Sequence, residues 1–165
     1  MKVAKFEGIQ IIVDEPYNEN DYMEKFNTSE MLEFTSLVYS PTNKEYSDKK
    51  MYNKKGEKRF IFLKHSEIIG SADLYNIEEH TATIRFWISK DYWGEGIATK
   101  AVKEICNYCF NKMKLKRVDA YVFKHNLGSI NVLEKSGFHR EGLLKYFDKK
   151  ADKLIDEYIC AIYNE

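Results

Sequence analysis

Trp87-Ile88-Ser89-Lys90-Asp91-Tyr92-Trp93-Gly94-Glu95-Gly96-Ile97-Ala98-Thr99 is the stretch on which the fold turns. An aromatic and β-branched run ends at Ser89, two glycines follow, and helical spacing begins at Ile97. Ala98, Ala101, Val102, Ile105, Cys109 and Met113 form an apolar stripe, and Lys100, Lys103, Glu104, Asn107, Asn111 and Lys114 a wet one. Steps of three and four residues predict a helix from Ile97 to about Met113. Backbone N–H groups at a helix start are unpaired, and with the helix dipole they attract anions. Gly94 and Gly96 carry no side chain, so a diphosphate can approach the main chain there. An ordinary strand-to-helix turn shares this geometry. The third glycine of the dinucleotide fingerprint is absent, and no Lys-Ser/Thr pair follows as in a P-loop.

Downstream, residues 117–123 read as a strand. His125-Asn126-Leu127-Gly128-Ser129-Ile130-Asn131-Val132-Leu133-Glu134-Lys135-Ser136-Gly137-Phe138 then opens a short helix that Gly137 stops. Asn126 can cap that helix or bond a ligand amide, and the Ser129 hydroxyl can donate a proton. Two closing strands fall near 138–147 and 153–163. Upstream, residues 60–63, 68–75 and 81–89 read as an antiparallel meander. A first strand covers 8–13. Asn20 or Asp21 caps a helix carrying Tyr22, Met23 and Phe26; Thr28 or Ser29 caps a second with Met31, Leu32, Phe34 and Leu37. The charged stretch 44–59 reads as a solvated loop. The order is strand, two helices, three strands, helix, strand, helix, two strands, which is a mixed α/β sheet in one domain, 1–165.

Composition narrows the function. The 165 residues hold 26 Lys+Arg and 26 Asp+Glu, a net charge of zero. That balance, without interleaved stacking aromatics, argues against a nucleic-acid partner. No apolar run reaches the ~18 residues of a membrane span, and the opening lacks the apolar core of a secretory signal. Three cysteines fit a reducing cytoplasm. Cys106 and Cys109 sit in an apolar helix stripe and the four histidines are scattered, so no metal site is expected. The late aromatics Tyr146, Phe147, Tyr158 and Tyr163 read as packing, with a share in a homodimer surface as the other reading.

Taken together, residues 92–99 and the run from Asn126 through Phe138, with Glu141-Gly142 and Asp156, resemble the GNAT superfamily of N-acetyltransferases. The likeness is greatest to its ribosomal-protein N-terminal alanine/serine acetyltransferase branch and covers roughly two-thirds of the chain. The resemblance implies a mostly antiparallel sheet of about seven strands flanked by about four helices, with the fourth and fifth strands splayed. It implies acetyl-CoA as donor and no metal. Trp87, Ile88 and Ser89 would offer main-chain bonds to the pantetheine, and Gly94, Glu95, Gly96, Ile97, Ala98 and Thr99 would hold the pyrophosphate. Asn126 would bond near the pantetheine, and Ser129 would be the general acid for the leaving thiolate. The acceptor would be a protein N-terminus or a small cationic amine such as a polyamine or aminoglycoside.

Three departures accompany the resemblance. Thr83 stands where many relatives carry a Glu that serves as or near the general base, leaving Asp73, Glu78, Glu79 or His80 to act through water. That gap motivates a second reading, a CoA-binding or protein-interaction module without turnover. Asp91 replaces the usual Arg or Gln of the loop, and the usual Leu-Arg-Pro opening is absent. Seven acids between Asp14 and Glu33 against one Lys would attract a cationic amine, or would simply solvate a helix face. Lys112, Lys114, Lys116 and Arg117 would meet the CoA 3′-phosphate, or would serve solubility alone.

Overall fold

The computed structural model describes residues 1–26, 56–150 and 153–165. Its elements run β1 (Lys2–Phe6), β2 (Ile9–Val13), α1 (Glu19–Phe26), β3 (Lys58–Lys64), β4 (Glu67–Tyr75), β5 (Thr81–Ile88), a 3₁₀ turn (Lys90–Tyr92), α2 (Ile97–Asn111), β6 (Arg117–Phe123), α3 (Leu127–Lys135), β7 (His139–Lys150) and β8 (Lys153–Tyr163). One eight-stranded sheet is ordered β1-β2-β3-β4-β5-β6-β8-β7, and every pairing is antiparallel except β5 with β6.

The mixed, mostly antiparallel α/β sheet is as expected, with eight strands instead of about seven and three α-helices among the described residues. The added strand is β1. Glu7 and Gly8, both at positive φ (47° and 79°), turn it directly into β2; this is the two-residue turn whose twist suits a hairpin. The residues expected in a second early helix lie outside the described set. Arg59 and Lys58, read as loop, belong to β3, because Arg59 finds an ion-pair partner across the sheet and Lys58 one in Asp14.

Alternation places two apolar sets on opposite faces. Ile9, Ile11, Phe60, Phe62, Leu74 and Ile84 bury against α2 and α3, which contribute Ala101, Val102, Ile105, Ile130 and Leu133. Ile12, Ile61, Ile68 and Trp87 bury against Tyr22 and Phe26 of α1. Each large side chain so removed from water contributes roughly 1.5–3 kcal/mol. Gly70 allows β4 to press on β5: a Cβ there would lie 2.5 Å from the Trp87 carbonyl oxygen.

Candidate active site

The site begins where two strands part. β5 and β6 are in register only from Thr81↔Arg117 to Thr83↔Asp119. Beyond Thr83 they separate. The splay therefore lies between the fifth and sixth strands, one later than expected, because β1 precedes the rest. β5 remains bonded to β4: Ser71 faces Trp87, and the Ser89 N–H donates to the Ile69 carbonyl at 2.8 Å. The alternation of an antiparallel ladder then turns the main chain of Phe86 and Ile88 toward the gap. The Trp93 indole N–H donates to the Ile88 carbonyl at 2.7 Å. Trp93 stays 41% exposed and walls the mouth of the gap, while Trp87, 7% exposed, is a sheet anchor.

The gap widens into a cleft of about 540 Å³, within the range of small-molecule sites. Trp87, Ile88, Gly94, Gly96, Ile97, Ala98 and Thr99 line it from one side, and Asn126 and Ser129 from the other. Two segments some thirty residues apart thus share one cavity. Ser89 and Glu95 are not on its wall. The Ser89 N–H is spent on β4 and its buried hydroxyl has no partner, while Glu95 is exposed on the loop.

Gly94 and Gly96 adopt φ of 77° and 74°, and a Cβ on either would meet nothing within 4 Å. Glycine is required here by the left-handed backbone, not by crowding, and the space before the loop is open. Gly96 is the N-cap of α2 and contributes no capping side chain. The first bond of the helix runs from Lys100 N–H to Gly96 carbonyl at 3.1 Å, so the N–H groups of Ile97, Ala98 and Thr99 precede it and face the open space. These residues fit a diphosphate held by amides, with Lys135 also on the cleft wall. Lys112, Lys114 and Lys116 follow the other end of a 15-residue helix, roughly 22 Å away. Arg117 is occupied by Glu141, Asp119 and Tyr163.

Asn126 is the N-cap of α3, its side-chain oxygen accepting the Ser129 N–H at 3.1 Å. The cap leaves its amide NH₂ as the group available to a ligand.

A smaller pocket of about 100 Å³ opens on the α1 face and shares Phe86, Trp87, Asn126 and Ser129 with the cleft. Tyr22 anchors it: its hydroxyl lies 3.0 Å from Ser71 Oγ and accepts the Trp87 indole N–H at 3.2 Å. Burial pushes the Tyr22 phenol well above its ordinary range, so it stays protonated and positions its neighbours. The acids of α1 are not what it offers the pocket; Tyr22 and Phe26 are.

The pocket also shows where the candidate bases stand. Asp73 receives a bidentate pair from Arg59, at 2.6 and 2.8 Å, and a third bond from Arg85 at 3.1 Å. Burial opposes the Arg59 charge, but its bonds to Asp73 outweigh that and hold its pKa above the ordinary value. Both Asp73 oxygens are committed to this cluster. Glu78, Glu79 and His80 lie on the β4–β5 turn, at the closed end of the splay, and touch neither cavity. Sequence reading missed Glu157. It is 5% exposed, faces Phe123 across β6–β8, and lines the same pocket as Ser129 and Asn126. The sequence signal was the adjacent acids Asp156 and Glu157 between the apolar stretches of β8, and nothing in the linear pattern says which of the two faces the pocket until the strand order is known.

A family model described as an acetyltransferase (GNAT) domain matches residues 14–139. The chain belongs to the GNAT acetyltransferase family. A probable N-acetyltransferase of Bacillus subtilis, YjcK, is 39% identical to this GNAT chain over 100 residues, 59% of this chain and 55% of that protein. The chain spans little more than half the length of the curated relatives it matches in this way. A ribosomal-protein-S5-alanine acetyltransferase from Vibrio fischeri superposes with a TM-score of 0.83 at 19% identity, covering 100% of this chain and 97% of that one. A spermidine N-acetyltransferase from Vibrio cholerae, in complex with CoA and spermine, gives 0.83 at 19% identity, covering 96% of each. At these identities the two structures establish the shared GNAT fold.

Burial pushes the Cys109 thiol up to about 12 and Cys106 further, so neither offers a thiolate nucleophile. Among the described residues no group of three His, Cys, Asp or Glu could hold a metal, and no helix is long and apolar enough to cross a membrane.

Proposed function

We propose that this GNAT chain is an N-acetyltransferase that moves an acetyl group from acetyl-CoA to a primary amine by direct attack. The acceptor is a protein N-terminus or a small cationic amine. The observation that carries the reading is the meeting of two cavities at Phe86, Trp87, Asn126 and Ser129, in the gap between β5 and β6. A thioester lying in the larger cavity would present its carbonyl at that seam to an amine entering through the smaller one. The names of the two Vibrio relatives cover both acceptor classes.

Each residue then has a task. The amides from Gly94 to Thr99 hold the diphosphate, and the Asn126 NH₂ bonds the pantetheine arm. Glu157 takes a proton from the ammonium, directly or through one water, and frees the nitrogen lone pair. As the nitrogen–carbon bond forms, the Phe86 or Ile88 N–H in the gap supports the oxyanion. The carbon–sulfur bond then breaks: the Ser129 hydroxyl passes a proton to the thiolate and is reprotonated, through water, by the second proton that the attacking nitrogen loses as it becomes an amide, while Glu157 returns its own proton to solvent. No covalent enzyme intermediate is needed. Glu157 also supplies the carboxylate whose absence from position 83 suggested a module without turnover.

The test is free-CoA release across an amine panel: peptides beginning with Ala or Ser, spermidine, and aminoglycosides. Turnover with one class is the expected result. Saturable acetyl-CoA binding with no thiol release from any amine would overturn the catalytic reading.

A further inference from the structure

Between Leu144↔Glu157 and Asp148↔Ile155, β7 spends Lys145, Tyr146 and Phe147 opposite the single residue Asp156 of β8. Such bulges re-aim side chains and recur beside active sites. Here the bulge is pinned. Tyr146 sits at φ 54°, a conformation side chains other than glycine rarely adopt, and its N–H donates to the Asp156 carboxylate at 3.0 Å. The result is that Phe147 lies flat on Tyr121, ring centroids 5.5 Å apart and planes 13° from parallel. Tyr121 lines the smaller pocket beside Glu157, yet Phe147 is 56% exposed. Phe147 thus packs on Tyr121 while more than half of its surface stays open.

We propose that Phe147 extends the Tyr121 wall and reads the group next to the reacting amine, selecting acceptors in which that group is apolar and uncharged. This rests on the acetyltransferase reading above. Charge on the described pocket wall supports the uncharged neighbour. Arg59 and Arg85 balance Asp73 and Glu157, which leaves no surplus acid for a second ammonium. Asp156 acts through the bulge and is a positioning residue.

The probe pair is hexylamine and 1,6-diaminohexane, alike in length and differing in a second charge, used beside the best amine of the panel. The wild-type chain should prefer hexylamine. Phe147→Ala should raise the KM for the amine roughly tenfold and erase the preference, with the KM for acetyl-CoA unchanged. Asp156→Ala should reproduce the effect, and Phe147→Tyr should restore it. A Phe147→Ala chain with wild-type amine KM and preference overturns the inference, as does a wild-type preference for the diamine. A wild-type chain that releases no CoA with any amine overturns the catalytic reading instead, and this inference with it.

Discussion

The Ser129 amide N–H and the Asn126 side-chain oxygen are joined by a 3.1 Å hydrogen bond that starts α3 at the seam of the two cavities. One contact therefore holds both residues of the second motif in place. Asn126→Ala should cost about 1 kcal/mol of stability through the lost cap and should also raise the KM for acetyl-CoA. Asn126→Asp keeps a capping oxygen but loses the amide donor. It should leave the urea midpoint near wild type and retain the KM defect. Equal KM values for Asp and Asn at this position would remove the pantetheine role.

The proposed mechanism divides proton transfer between Ser129 and Glu157, which line the same pocket. Ser129→Ala should lower kcat by about 10² with little change in the KM for acetyl-CoA. Glu157→Gln should lower kcat/KM by a similar factor. In the Gln variant the rate should rise with pH only as the amine itself loses its proton. That is near 7.7–8.0 for a peptide N-terminus and about 10.4 for an alkylamine. Wild-type rates in both variants would contradict the assignment.

At Gly96 the backbone matters more than the space. A Cβ at φ 74° meets no atom, so Gly96→Ala should cost only about 1–2 kcal/mol, the penalty of a left-handed non-glycine residue. The same change moves the amides of the loop and should weaken acetyl-CoA binding at least tenfold by calorimetry. Unchanged affinity would show that the loop is not the diphosphate cradle.

Much of this arrangement was legible before the structure. The Gly94-x-Gly96 loop, the helix it opens and the Asn126–Ser129 turn are local, and local spacing carries them. β6 and β8 could be bounded to the residue because turns and charge flank both strands sharply. What spacing could not carry was pairing. β1 was hidden because Glu7-Gly8 is a weak turn signal, although both residues take positive φ. Arg59 looked like loop because its partner, Asp73, is fourteen residues away on another strand. Glu157 became visible only when β8 was placed beside β6, and Phe147 only through a bulge that has no linear signature.

Alkaline conditions should expose the buried phenols. Burial pushes Tyr75 from 10.0 up to about 12. The folded chain thus keeps that proton where the unfolded chain has lost it. Its stabilising share is complete below pH 10.0 and drains away as pH rises through about 12. Tyr22, Cys106 and Cys109 are shifted upward as well and add in the same direction. Urea midpoints should therefore fall across this window, and Tyr75→Phe should shallow the fall. An identical slope in the variant would mean that the half-buried Tyr75 phenol does not contribute to the fall.

The most direct test is a crystal structure of the chain grown with CoA. The diphosphate oxygens should lie about 3 Å from main-chain nitrogens between Gly94 and Thr99, with the pantetheine arm running between β5 and β6 and the sulfur reaching Ser129. Density for the diphosphate anywhere else, or a gap closed by continued β5–β6 pairing, would contradict the account.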